Sequence, residues 1–296
     1  MAGSSLSFLQ SPEWQEIQER MGRPTRRVAG ILVVRHDLPL GCHYGYVPRP
    51  VVDAASLRLL VEYGRSSGAI FLKIDPVEPL PLPATRFAAA HSLQPVATLY
   101  IDCSQPDGEL RAAMHPKTRY NIGLARRRGV SVRVVGSPAG DDAFGAFWRL
   151  LGETADRDGF RPHPVEHYRI LFNVRSNDFS NLLFLAELDG DPVAAAVVNC
   201  YRPSGTAVYL HGGSSRSHRA AMAPHFLHWH IIQYLRHAGF IQYDLGGVDA
   251  VRWPGVTRFK RGFGGRVHAF PPAVDIPFRA LGYRLYRLQH SLRRLL

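Results

Sequence analysis

The stretch "TRFKRGFGGRV", residues 257–267, sets Lys260 between Phe259 and Arg261 and follows it with Gly262, Gly264 and Gly265. A lysine placed so offers a positive charge that can meet a developing anion. The glycines offer a backbone that can come close to a substrate. Arg258 is a candidate substrate-binding cation beside it. Upstream, Asp244 ends the run "FIQYD", and Gly246 and Gly247 follow as a loop able to hug a ligand. Strand ends that feed glycine-rich loops are common places for sites. A structural lysine on a turn and ordinary loop chemistry are the competing readings.

A second concentration of charge lies in "HPKTRYNIGLARRRG", with Lys117, Arg119, Arg126, Arg127 and Arg128. Arg119 and Arg126 share a helical face, whereas Lys117 and Arg119 do not. The run is either a solvated helix or a phosphate-contacting surface whose binding weakens with salt. In "YLHGGSSRSHRAAMAPHFLHWH" a loop runs into a helix start, a ready anion site that makes Arg219 a phosphate candidate. Coenzyme A acetyltransferases place a glycine-rich run there. This chain has Arg219-Ala220-Ala221-Met222-Ala223-Pro224, and Pro224 supplies no amide donor, which argues against acyl-CoA binding in the second half. His211, His225, His228 and His230 have no carboxylate at a metal-site spacing, so packing is the expectation and no metal is expected.

These residues need elements to hold them. "SPEWQEIQERMG", "DAASLRLLVEYGRSSG" and "PHFLHWHIIQYLRHAG" carry helix starts and stops, and "DGELRAAMHPKTRYNIGLARRRG" reads as a helix interrupted at Pro116 and ended at Gly129. "RRVAGILVVRH", "AIFLKI", "PVATLYID", "VSVRVV", "NLLFLAEL", "PVAAAVVNCY" and "TAVYLHGG" read as strands, with Asp189-Gly190 as a hairpin turn. The segment "GSPAGDD" reads as a joint between two similar α/β halves. The tail places Leu281, Leu285, Leu288, Leu292 and Leu295 on one helical face beside several arginines. A closing helix packed on the first half is the preferred reading, and a basic amphipathic helix on an anionic membrane is the minority one.

The chain has 296 residues, 46% hydrophobic and 20% charged, as in folded globular proteins. A net charge of +12 points to an anionic partner, although arginine-rich proteins are often basic without one. Three scattered cysteines, Cys42, Cys103 and Cys200, exclude a disulfide framework and fit a reducing cytosol. The first residues do not read as a secretory signal, and no run is long enough to span a bilayer, so a cytoplasmic protein is expected.

Taken together, "WQEIQERMG", "HYGYVPRP", "FLKIDP", "TLYIDCS", "KTRYNIGLARRRGVSV", "TADRDGF", "YLHGGSSRSHR…HWHII", "YDLGG" and "TRFKRGFGG" resemble, in order and over nearly the whole chain, the FemABX family of aminoacyl-tRNA-dependent peptidyltransferases. The resemblance is to its compact members, since no long helical hairpin interrupts the second half. It implies an α/β (α+β) fold of two tandem GNAT-like domains with mixed, mostly antiparallel sheets. The first is expected over residues 1–136 plus a C-terminal helix at 272–296, the second over 137–271. It implies transfer of an amino acid from charged tRNA to an amine of a UDP-linked or lipid-linked peptidoglycan precursor. Aminoacyl-tRNA is then the co-substrate, no cofactor is needed, and peripheral contact with the inner membrane face is an option.

By resemblance Lys260 matches the family's functional lysine and Phe259 its aromatic neighbour. Lys260 is the expected oxyanion donor, and Asp102 and Asp244 are candidate bases or amine-orienting carboxylates. Arg161, Tyr168 and Tyr209 are candidate precursor contacts, with Arg219, Asp244, Gly246 and Arg258 in the substrate-binding set. Lys117, Arg119, Arg126, Arg127 and Arg128 form the tRNA-binding set. Two departures stand out: Gln18 occupies a position where the family often has lysine, and "GYVPRP" lacks the family's glycine between arginine and proline. The alternatives are an acyl-CoA-dependent N-acyltransferase, a tRNA-dependent transferase acting on another small amine, and a non-catalytic tRNA- or lipid-binding protein.

Overall fold

The computed structural model describes residues 6–81 and 88–292, the side chains of 290–292 excepted. The chain divides into two compact units, Met1–Val96 with Ala269–Leu296, and Ala97–His268.

Helix α1 (Pro12–Arg20) starts at Ser11, whose hydroxyl accepts from the Trp14 amide at 3.0 Å, with Pro12 in the first turn. The run "RRVAGILVVRH" is two strands, β1 (Thr25–Val28) and β2 (Ile31–Asp37), because Ala29 and Gly30 both take positive φ and turn the chain back. β3 (His43–Pro48) crosses through α2 (Ala54–Ser66), capped by Asp53 and Ser56, to a parallel β4 (Phe71–Asp75). The short β5 is Ala88–Ala89.

In the second unit β6 (Ala97–Asp102) precedes α3 (Asp107–Ala113) and α4 (Pro116–Arg127), broken at Pro116 as expected, and Gly129 at φ 82° turns the chain into β7 (Ser131–Val135). Then come α5 (Asp141–Asp158), α6 (Val165–Asn173), β8 (Phe179–Leu188), β9 (Asp191–Tyr201), β10 (Thr206–Ser214), α7 (Ala223–His237), β11 (Gln242–Gly247), α8 (Pro254–Arg261) and β12 (Arg266–Ala269). The sheet order is β12-β6-β11-β10-β9-β8-β7. One core, with Ile122, Phe184, Leu227, Ile231 and Tyr243 in it, packs α4 and α7 on this sheet. α5 also reaches β10: a Cβ on Gly213 would come within 2.3 Å of the Leu150 carbonyl, so only glycine fits there.

The chain returns to the first unit as β13 (Val274–Pro277) and α9 (Ala280–Leu292), completing the order β1-β2-β3-β4-β13-β5. Each unit thus contains one helix-linked parallel pair, β3-α2-β4 and β10-α7-β11, bordered by antiparallel strands. This is the mixed α/β architecture expected.

Two expectations need correction. The boundary lies at Val96 and Ala97 rather than at 136, and the return begins at Ala269 rather than 272. The cause is that β6 and β7 are strands of the second sheet, so "GSPAGDD" is a connection inside the second unit. The closing helix does lie in the first unit, but not by its leucines. Tyr283 and Tyr286 meet the Phe71 ring at 5.3 and 4.6 Å, while Leu281, Leu285 and Leu288 are exposed. The Leu292 side chain and Leu295 fall outside the described residues.

Candidate active site

Strands β10 and β11 run parallel through only three registered pairs, Thr206 with Gln242 to Val208 with Asp244, and then part. β10 shifts register against β9 between Tyr209 and His211, and β11 shifts against β6 between Asp244 and Gly247. Bulges at one level of two neighbouring strands re-aim their side chains and interrupt the ladder. Asp244 shapes the second irregularity: its carboxylate accepts from the Gly246 amide at 2.7 Å and from the Thr98 hydroxyl. Gly246 sits at φ 73°, where a Cβ would come within 3.2 Å of the Tyr209 carbonyl and 3.6 Å of Lys260 Nζ. A cavity of about 340 Å³ opens here, with Tyr209, Gly212, His225, His228, Phe259 and Lys260 in its wall.

Helix α8 carries Lys260 to this cavity. Its start is fixed by Thr257, whose hydroxyl donates to the Asp249 carbonyl at 2.8 Å and accepts from the Asp249 amide at 2.9 Å. Its end is fixed by Gly262, where a Cβ would meet the Thr118 hydroxyl at 2.4 Å, so α8 approaches α4 as only glycine allows. Thr257 and Lys260, three apart, are the buried face of the helix. Lys260 is 8% exposed, and its ammonium donates to the Gly247 carbonyl at 2.8 Å and lies 5.8 Å from the centre of the Tyr209 ring. Among the described residues it forms no salt bridge. Burial lowers its pKa to about 8, opposed by the nearby Asp244 charge. The group is therefore mostly protonated at neutral pH, with donor capacity beyond its one hydrogen bond.

Around Lys260 the wall carries uncharged rings, while Arg157, Asp158 and Arg219 bring charge to other parts of the same cavity. His228 is buried, its Nδ1 within 3.0 Å of the Tyr243 hydroxyl, with its ring edge-on to Tyr209 at 4.8 Å and Phe259 at 5.5 Å. Burial pushes its pKa down to about 3 and that of His225 to about 4, so neither carries charge at neutral pH. Burial pushes the Tyr209 hydroxyl up to about 12, keeping it protonated. A cation in such a low-dielectric wall acts more strongly on an oxyanion than one in water. Sequence reasoning treated His225 and His228 as packing residues; their packing is what forms the wall, and the "HFLHWH" spacing within an apolar helix was the available signal.

The other expected residues scatter. Phe259 and Tyr209 share the cavity wall with Lys260, and Gly246 and Asp244 lie near its ammonium without lining the cavity, β11 running on through Gly246 and Gly247 instead of ending at Asp244. Arg219 borders the cavity from a short 3-10 turn (Arg219–Ala221), and Arg258 points to solvent. Asp102 lines a separate opening of about 650 Å³ with Gln242, Phe263 and Arg266, and its carboxylate accepts from the Ser104 amide at 3.0 Å. Arg161 is exposed ahead of α6. Tyr168 is 1% exposed, packed against Phe147 and His211, which makes it a core residue rather than a substrate contact.

The basic set also divides. Arg119 donates to the carbonyls of Arg111, Ala112 and Met114, closing the end of α3, and Arg128 donates to the Ala220 carbonyl. Those two hold the structure, while Lys117, Arg126 and Arg127 stay exposed. Gln18, at the position where a lysine was expected, is buried and accepts from Arg23 at 2.9 Å.

Comparison with known proteins bears on the fold that carries this cavity. Residues 116–261, from α4 to the end of α8, match the Acetyltransferase (GNAT) domain family. Aminoacyltransferase FemB of Staphylococcus epidermidis is 24% identical over 272 aligned positions, covering 71% of this chain and 64% of the relative. A FemB of another strain of that species is 29% identical over 125 positions, covering 40% of this chain and 30% of the relative. The chain thus spans less than two thirds of these curated relatives. Among solved structures, FemX superposes with a TM-score of 0.82 at 19% identity, covering 96% of this chain and 95% of that one. L-PGS from Bacillus licheniformis gives 0.63 at 10% identity, with 98% of each chain covered. A tandem GNAT protein from the clavulanic acid biosynthesis pathway gives 0.53 at 17%, covering 83% and 78%. The fold is that of tandem GNAT units.

Proposed function

Since the chain belongs to the FemABX family, we propose that it is an aminoacyltransferase that moves an amino acid from aminoacyl-tRNA to an amine of a peptidoglycan precursor. The observation that carries this reading is the place of Lys260: a buried ammonium, without a salt bridge among the described residues, beside the Tyr209, His228 and Phe259 rings in the wall of a cavity that also carries Arg157, Asp158 and Arg219.

An ester to tRNA is already activated, so the acceptor amine attacks the carbonyl carbon directly and no covalent enzyme intermediate is needed. The new C–N bond forms as the carbonyl electrons move onto oxygen. Collapse of the tetrahedral species then breaks the bond to the ribose oxygen, which leaves with a proton while the amine loses one. Lys260 meets the oxyanion, a contribution of about 3 kcal/mol for a fixed donor. Holding two substrates in one cavity supplies several kcal/mol more. Asp244, held by Thr98 and Gly246, shapes the site and lowers the cost of charge on Lys260. Asp102, in the other opening, does not face the same cavity. The exposed Lys117, Arg126 and Arg127 suit the phosphates of the tRNA.

The test is transfer of radiolabelled amino acids from total charged tRNA onto a panel of UDP-linked and lipid-linked precursors. Label reaching one precursor, abolished by RNase, is the expected result. The GNAT match favours a second reading, acyl-CoA-dependent transfer, which would proceed with acetyl-CoA and ignore RNase. Pro224 in the first turn of α7 counts against it, since it removes an amide from the helix start where a pyrophosphate would sit. Label appearing only on amines unrelated to peptidoglycan would leave the tRNA chemistry standing and change the acceptor.

A further inference from the structure

Helix α9 lies on its unit by one face and leaves an apolar stripe on the other. Gly282 brings the helix so close that a Cβ there would sit 3.1 Å from the Ile70 side chain, and Tyr283 and Tyr286 pack on Phe71. The Tyr283 hydroxyl also donates to Asp275 at 3.0 Å. On the opposite face Leu281, Leu285 and Leu288 are 73%, 58% and 59% exposed. Steps of four and three residues keep them in one narrow row. The same period continues in the sequence to Leu292 and Leu295. After Asp275 the chain has no acidic residue, but it has Arg279, Arg284, Arg287, Arg293 and Arg294.

A second apolar projection leaves the same unit. Leu40, between β2 and β3, is 98% exposed and held at φ 62°, a left-handed conformation that a leucine adopts only at a cost. Its neighbours Leu38 and Cys42 pack on the cluster of Tyr44, Phe71 and Tyr283 that seats α9. The leucine row and the leucine finger thus belong to the same unit, and the elements that carry them rest on the same aromatic cluster.

We propose that α9 and the Leu40 loop form a docking surface for an anionic lipid bilayer. The leucines enter the boundary between headgroups and acyl chains, and the arginines meet lipid phosphates. A second copy of this chain fits the surface poorly, because pairing two α9 stripes would set one arginine-rich helix against another. This inference does not rest on the reading of the Lys260 site.

The test is flotation of the full chain with vesicles of phosphatidylcholine alone and of equimolar phosphatidylcholine and phosphatidylglycerol. Binding is expected only to the anionic vesicles, and it should weaken as salt rises. Leu285→Gln with Leu288→Gln should cut partitioning by about tenfold or more, and Leu40→Ser by less. Arg284→Gln with Arg287→Gln should weaken binding and flatten its salt dependence. All these positions are exposed, so the thermal melt should match the parent. Failure to float with anionic vesicles, or equal flotation of the leucine variant, overturns the proposal. So does sedimentation showing a dimer that the leucine variant converts to monomer.

Discussion

Lys260 is a buried cation without a salt bridge among the described residues, and such a group costs stability where it stands. Its folded pKa of about 8 lies below the ordinary 10.5, so the fold disfavours the charged form. The cost is present in full below about pH 8 and disappears as pH rises toward 10.5, so the stability of the chain rises with pH across that window. Lys260→Met should therefore hold or raise the melting temperature at pH 7 while cutting turnover roughly a hundredfold or more. A variant with near-normal transfer would remove Lys260 from the mechanism. The charged form is the useful one, so with the parent the pH profile of turnover should fall above about pH 8. Lys260→Arg keeps its charge at all such pH values, and whatever activity it retains should lack that alkaline fall.

At the level of elements, the site depends on β10 and β11 parting after three registered pairs. Gly246 is where both the positive φ and the approach of Tyr209 require glycine. Gly246→Ala should cost about 1–2 kcal/mol in a urea melt and lower turnover by displacing the Lys260 ammonium or the Tyr209 backbone. The first unit has its own critical contact. Lys73 on β4 and Asp275 on β13, both nearly inaccessible, pair at 2.7 Å and tie strands from opposite ends of the chain. Burial is the main influence on Asp275 and raises its pKa, with Lys73 opposing it. Lys73→Met leaves that carboxylate without its partner and should destabilise the chain by about 3–5 kcal/mol. Unchanged denaturation would show the pair to be unimportant. Most elements were legible, because hydrophobic period, proline and glycine positions are local signals. The unit boundary was not: "GSPAGDD" has the composition of a linker, and only pairing of β6 and β7 into the second sheet shows that it is internal.

For the molecule as a whole, a net charge of +12 makes binding of a polyanion salt-sensitive, but individual charges divide by use. Replacing Lys117, Arg126 and Arg127 by glutamine should make the slope of log affinity for tRNA against log salt shallower by about 2, measured by filter binding. Replacing Arg119 or Arg128 should instead lower stability, since both close backbone carbonyls. An unchanged slope for the triple variant would place the RNA surface elsewhere. Among the described residues no helix is long and apolar enough to cross a membrane.

By itself the sequence determined the mixed α/β class, most helices and strands and the family resemblance, and it put forward Lys260, Phe259, Tyr209 and Gly246, which the structure places near one another. These follow from local patterning and from residues whose chemistry is fixed by type. Only the tertiary structure decided which polar groups share a cavity. It separated Asp102 from Lys260, buried Tyr168, bound Arg119 and Arg128 to carbonyls, and turned the leucines of α9 outward. The physical reason is that a side chain's environment depends on strands and helices brought together from distant parts of the chain, which no local spacing encodes.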